Sequence, residues 1–78
     1  PKPMARDNSL ETRRRQQALE RVEASIRDHE LAIRRLSGEL EQAGKKGRFE
    51  MAHQISNKIA HAQAEMERLM SEWEKLAV

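Results

Sequence analysis

The chain has 78 residues, of which 36% are charged and 3% aromatic, and a formal net charge of +2. A mean hydropathy of -0.93 is too polar for a globular core but suits helices with one narrow apolar seam. The absence of cysteine excludes a disulfide framework and thiol chemistry. No apolar run approaches the roughly 18 residues of a membrane span, so we expect no membrane partner.

The prolines of the chain both lie in residues 1–8, which have no apolar periodicity. We predict a flexible linker there, with a helix cap at Asn8 or Ser9. Because the chain opens with Pro1 rather than Met, we expect it to be a piece of a longer protein. One domain is predicted after the linker, at 9–78, with a first helix at about 9–43, a turn at 44–47 and a second helix at about 48–77.

Two apolar seams with heptad spacing support this division. In each seam, neighbouring members are alternately 3 and 4 residues apart. The first seam contains Leu19, Val22, Ile26, His29, Ile33, Leu36, Leu40 and Ala43. The second contains Ala52, Ile55, Ile59, Ala62, Met66, Leu69, Trp73 and Leu76. Two seams of equal length on either side of a short turn can bury each other only by folding back, so the fold class is all-α, a two-helix antiparallel coiled-coil hairpin.

In such a hairpin, residues of the two seams are predicted to face each other in successive layers. Ala43 pairs with Ala52 beside the turn, and successive layers follow in register until Val22 faces Trp73 and Leu19 faces Leu76. Gly44 is predicted as the left-handed residue that ends the first helix, with Gly47 releasing the chain into the second. Glu39 and Lys58 lie at one level and form a plausible surface ion pair.

No catalytic residue is expected, because the chain has no Gly-rich phosphate loop and no nucleophile with a base. His53 and His61 lie too far apart along a helix to share a metal ion. His29 is interpreted as a polar seam residue rather than a pH switch, and Trp73 as core rather than a base-stacking platform. We therefore predict no metal, no cofactor and no small-molecule ligand for this part of the protein.

Basic residues give the strongest functional signal. Residues 1–48 contain 12 Lys and Arg against 8 Asp and Glu, whereas 49–78 contain 3 against 5. On the outer face of the first helix the stripe contains Arg13, Arg14, Arg21, Arg27, Arg34 and Arg35. The turn adds Lys45, Lys46 and Arg48. Clustered cations of this kind clamp phosphate oxygens and gain affinity by releasing counterions, although a solvated surface with mixed charges remains an alternative.

The sequence from Ala18 to Ala52, together with the ending Trp73–Glu74–Lys75–Leu76, resembles the C-terminal coiled-coil domain of ABC-F ATPases. These proteins have two ATP-binding-cassette domains and no transmembrane part. Leu19–Glu20 and Ile26 match the family's first helix, and Gly47–Arg48–Phe49–Glu50 match its turn. Two departures are His29, where the family has Leu, and Arg48, where it has a capping Asp.

The resemblance implies a cytoplasmic, ribosome-associated or DNA-binding protein with a role in translation. ATP and Mg²⁺ would belong to the ATPase domains of the parent protein. We expect a non-catalytic arm that contacts DNA or ribosomal RNA.

Two other interpretations stay open. One is a spacer or protein-docking coiled coil that braces its own ATPase domains, for which the outward-facing Leu31 and Met70 would matter more than the basic turn. A weaker one is the basic coiled-coil arm of an aminoacyl-tRNA synthetase.

Overall fold

The structure, a computed structural model, describes the backbone of residues 2–78 and the side chains of residues 9–78. It contains two helices, α1 (Lys2–Lys45) and α2 (Phe49–Ala77). α2 packs against α1 from the turn outward. Because α1 has 44 residues and α2 has 29, α1 extends beyond the open end of the hairpin, and the whole rod measures 68 × 15 × 13 Å. The predicted fold class, an all-α helical hairpin, is confirmed.

The buried side chains lie on the two predicted seams. Val22, Leu36, Ala43, Ile55 and Leu69 are each at most 9% exposed. Beside the turn, Leu36, Ala43 and Ile55 form one cluster, against which Leu40, Ala52 and Ile59 pack. This matches the predicted layers, and every other seam residue except Trp73 is half-buried. The alternating spacing of 3 and 4 residues therefore determines which faces of the two helices meet, because only the residues at that spacing form a continuous apolar stripe on each helix.

The chain reverses through a Schellman motif. The backbone N–H of Arg48 donates to the carbonyl of Ala43 at 2.9 Å, and that of Gly47 donates to the carbonyl of Gly44 at 3.1 Å. Gly47 carries the left-handed conformation, with φ +69°. The prediction that Gly44 takes this role is wrong, since Gly44 lies inside α1. A glycine inside a helix lowers its stability only modestly, so α1 continues through Gly44. The chain reverses after it, at a point that still allows Ala52 to lie opposite Ala43.

The helix boundaries differ from the predicted ones at both ends of α1. The helix starts at Lys2 rather than near residue 9, so the backbone is helical through most of the segment predicted as a linker. The side chains of residues 1–8 lie outside the described residues. At the other end, α1 runs two residues beyond the predicted 43, which shortens the turn to 46–48.

Trp73 is less buried than its seam position predicts. Its side chain is 37% exposed, and its indole Nε1 donates a hydrogen bond to Glu23 Oε2 at 3.2 Å. A buried indole N–H needs an acceptor, and the apolar seam offers none. The ring therefore lies at the edge of the seam, where a carboxylate of α1 satisfies it.

His29 occupies the seam as a half-buried residue. Its Nδ1 lies 2.7 Å from the carbonyl oxygen of Ser25, one turn earlier on α1. A carbonyl oxygen only accepts hydrogen bonds, so the Nδ1–H of His29 is the donor in this contact. This local bond satisfies the polar group that the seam places among apolar neighbours.

The ion pairs of the described residues form within a helix, not between helices. Glu39 contacts Arg35 at 3.6 Å, so the predicted pair of Glu39 with Lys58 is wrong. On α2, Arg68 contacts Glu65 at 2.9 Å and Glu72 at 3.5 Å. Residues three or four apart on one helix are already neighbours, whereas a pair across the seam must extend two long side chains around it.

The Arg68–Glu65 contact predicts a measurable acid titration. The hydrogen bond from Arg68, and then its charge, lower the pKa of Glu65 below its usual 4.5. Because the folded pKa is the lower one, the contact stabilises the hairpin above the unfolded pKa and is lost as pH falls through the folded pKa. We expect Arg68→Gln to raise the pKa of Glu65, measured by carboxyl-carbon NMR. Arg34→Gln should leave it unchanged, and an unchanged pKa in Arg68→Gln would contradict the contact.

Candidate nucleic-acid interface

The turn places three cations at the closed end of the rod. Lys45 is the last residue of α1, Lys46 lies in the turn, and Arg48 is the N-cap of α2. All three side chains are exposed. Arg48 makes no capping hydrogen bond through its side chain, so its guanidinium is not used to stabilise the helix end. We refer to these three residues as the basic tip.

A second group of cations follows α1. Arg13, Arg14, Arg21, Arg27, Arg34 and Arg35, which we call the arginine stripe, are exposed along the side of α1 that faces away from α2. At 1.5 Å per residue, the stripe from Arg13 to Arg35 is about 33 Å long. The predicted contact residues therefore do not form one pocket. They form a line along α1 that ends at the basic tip.

Ion pairing divides these cations into two sets. Among the described residues, Arg35 pairs with Glu39 at 3.6 Å and Lys45 with Glu41 at 3.3 Å. No ion pair involves the other members of either group within residues 9–78, which are Arg13, Arg14, Arg21, Arg27, Arg34, Lys46 and Arg48. Exposed pairs of this kind contribute roughly 0–1 kcal/mol, so even Arg35 and Lys45 can exchange a carboxylate for a phosphate.

The chemistry available to this surface is electrostatic. Guanidinium groups donate two parallel hydrogen bonds to a phosphate, and lysines act as point charges. The N-terminal end of α2 adds partial positive charge beside the tip. Two members of the stripe line open depressions between the helices, Arg27 beside Trp73 and Arg21 beside Lys75. No His, Asp and Glu side chains of the described residues cluster so that three could hold a metal ion.

No protein-family model matches the chain, and neither the curated proteins nor the solved structures gave a match. The likeness to ABC-F coiled-coil domains consequently stays a prediction. Neither described helix combines the length and apolar character that crossing a membrane requires.

One feature of the surface was not predicted from the sequence. Near the open end of the hairpin, Trp73 and Met70 of α2 and Ile26 of α1 line a groove of about 500 Å³. The groove was not predicted because the heptad pattern assigns Trp73 to the core. A usable signal was present, since Glu23 lies one residue from the layer of Trp73 and is an acceptor within reach of the indole.

Proposed function

We propose that the hairpin is a non-catalytic arm that binds the phosphate backbone of nucleic acid, DNA or ribosomal RNA, with little sequence preference. The observation that carries this proposal is the set of exposed cations on α1 and at the basic tip that form no ion pair within residues 9–78. The likeness to ABC-F coiled-coil domains supports the same function and suggests that the arm belongs to a cytoplasmic ATPase.

The distribution of charge supports phosphate contact rather than general solubility. Lys46 and Arg48 have no carboxylate within ion-pairing distance in the described part of the chain. On α2, by contrast, Arg68 has two carboxylate partners. Cations already neutralised by carboxylates release few counterions on binding, whereas unpaired cations retain their full attraction for phosphate.

The shape of the surface supports a backbone contact rather than base readout. The arginine stripe, about 33 Å long, matches one turn of a B-form duplex, which is about 34–36 Å. Within residues 9–78 the aromatic side chains are Phe49, beside the tip, and Trp73, near the opposite end of the hairpin. They form no row on which successive bases could stack. Backbone contacts position a protein on nucleic acid but carry no sequence information.

The decisive experiment compares two charge-reversed variants with the same change in net charge. We expect Lys46→Glu/Arg48→Glu to weaken binding to duplex DNA or ribosomal RNA about tenfold or more at low salt, by fluorescence anisotropy. The slope of log affinity against log salt should fall by about 2, since each lost phosphate contact removes about one. The reversal should not unfold the hairpin, because both side chains are exposed and make no ion pair among the described residues. Arg48→Glu also places an acidic side chain at the N-cap of α2, where it interacts favourably with the helix dipole.

The matched control is Lys58→Glu/Lys75→Glu. Both lysines are exposed cations of α2 that form no ion pair among the described residues, and neither belongs to the proposed interface. The control should keep most of its affinity. An equal loss of affinity in the two variants would mean that binding depends on net charge alone and not on the basic tip. Undetectable binding of the unaltered chain at low salt would refute the proposed function.

A further inference from the structure

An exposed aromatic ring lies beside the basic tip. Phe49, the single phenylalanine of the chain, begins α2 directly after Arg48, and its side chain is 75% exposed. It does not belong to the apolar cluster next to the turn, whose members are all buried or half-buried. Most of the ring is therefore accessible to a partner.

The turn holds this ring close to two of the cations. A β-carbon built on Gly47 would lie 4.0 Å from Cε2 of Phe49, so one edge of the ring is near the backbone of the turn. Gly47 lies between Lys46 and Arg48, which are both exposed and form no ion pair within residues 9–78. The ring and the two cations consequently occupy the same end of the rod.

The charge around the ring favours an anionic partner. Residues 45–50 contain the three cations of the basic tip and one acid, Glu50. An isolated apolar side chain on a surface needs no partner to explain it. A ring beside cations, however, combines the two groups that single-stranded nucleic acid binds, since the cations attract its phosphates and the ring stacks on its bases.

The arrangement suits a nucleotide better than a lipid surface. Insertion into a bilayer surface needs several apolar side chains on one face of a helix. The next exposed apolar residue of α2 is Met51, and two residues along a helix correspond to about 200° around its axis. Met51 therefore lies on nearly the opposite side of α2 from Phe49. A single ring is enough to stack on a single base.

We propose that Phe49 stacks on one unpaired base while Lys46 and Arg48 hold the phosphates beside it. The arm then prefers nucleic acid that contains an internal loop or a bulge over an uninterrupted duplex, whose bases already stack on one another. Stacking by Phe49 rests on the proposed function, because the same cations hold the backbone. It adds no sequence preference, since every base has a face on which a ring can stack.

Two DNA duplexes of equal length and charge test this preference by fluorescence anisotropy with the full chain. One is fully paired, and the other carries a central run of A·A mismatches that forms an internal loop. We expect the looped duplex to bind about tenfold more tightly at low salt, within the range that one base stacked on an aromatic side chain provides. Phe49→Leu should lose this preference and keep its affinity for the paired duplex. Its slope of log affinity against log salt should stay unchanged, because stacking releases no counterions.

Two control variants separate the ring from its surroundings. Phe49→Tyr retains an aromatic ring and should keep the preference. Met51→Ala shortens a side chain that is 46% exposed on the other side of α2, and it should keep the preference as well. Far-UV circular dichroism verifies that each variant is folded.

Proton NMR detects the stacked base directly. Because Phe49 is the single phenylalanine, its ring protons can be followed during a titration with either duplex. We expect them to shift upfield when the looped duplex is added, since a stacked base shields the protons that lie over its face. The paired duplex should shift them less.

The outcomes distinguish stacking from the function on which it rests. Equal affinity for the two duplexes would overturn the role of Phe49 and leave the proposed function intact, whereas undetectable binding of both would overturn the two together. A preference that persists in Phe49→Leu would also overturn it. Vesicles of anionic phospholipid are the third probe: vesicle binding that depends on Phe49, with no preference between the duplexes, would assign the ring to a lipid surface instead.

Discussion

Replacing Ile55 with alanine is expected to unfold a large fraction of the molecules at room temperature. Ile55 is 6% exposed and belongs to the small cluster with Leu36 and Ala43. Removing a buried isoleucine down to alanine costs about 2–5 kcal/mol. A core of this size rarely supplies more than roughly 3–5 kcal/mol in total, so one substitution removes most of the stability.

Urea unfolding followed by far-UV circular dichroism measures this effect. Met51→Ala is the control, because Met51 lies one turn away on α2 and is 46% exposed. It should change the free energy of unfolding by no more than about 0.5 kcal/mol. An Ile55→Ala variant with an unchanged midpoint would mean that the seam around Leu36 is not what holds the two helices together.

Alanine at two neighbouring glycines is expected to have opposite effects. Gly47→Ala should lower the free energy of unfolding by about 1–2 kcal/mol, because a β-carbon is unfavourable at the left-handed φ of +69°. Gly44→Ala should raise it by roughly 0.5–1 kcal/mol. Gly44 is helical, and an added β-carbon there meets no atom within 4 Å.

Thermal unfolding of the two variants, side by side, gives the sign directly. Gly38→Ala serves as a second helical reference, since a β-carbon at Gly38 also meets nothing within 4 Å. The observation of a stabilised Gly47→Ala together with a destabilised Gly44→Ala would restore the turn predicted from the sequence and contradict the Schellman motif.

The basic tip combines these structural roles with the proposed function. Arg48 occupies the N-cap of α2 without a capping hydrogen bond, at a position where Asp, Asn or Ser would add about 0.5–2 kcal/mol. A residue that does not stabilise its own helix end is available for a partner. This is the physical reason to place phosphate contacts at Arg48 and Lys46 rather than at Arg68, whose guanidinium already has two carboxylates.

The cations of the candidate interface could be predicted from the sequence, but their availability could not. Heptad positions place Arg21, Arg34 and the other stripe residues on the outer face of α1, because that face is defined by its angle from the seam. Whether a given arginine is paired depends on competing carboxylates at similar distances. Glu39 could reach Arg35 or Lys58, and the structure places it on Arg35.

The spacing of apolar residues by itself determined the all-α hairpin, its register and the layers from Ala43–Ala52 outward, because burial of two matched stripes leaves one arrangement. The tertiary structure alone decided three finer points. It assigned the reversal to Gly47 through the hydrogen bonds of the turn, and it moved Trp73 to the seam edge where Glu23 accepts its N–H. It also determined which cations of residues 9–78 form no ion pair within that part of the chain. Each is a competition between nearly equal local alternatives, which only the distances between side chains and backbone groups in three dimensions resolve.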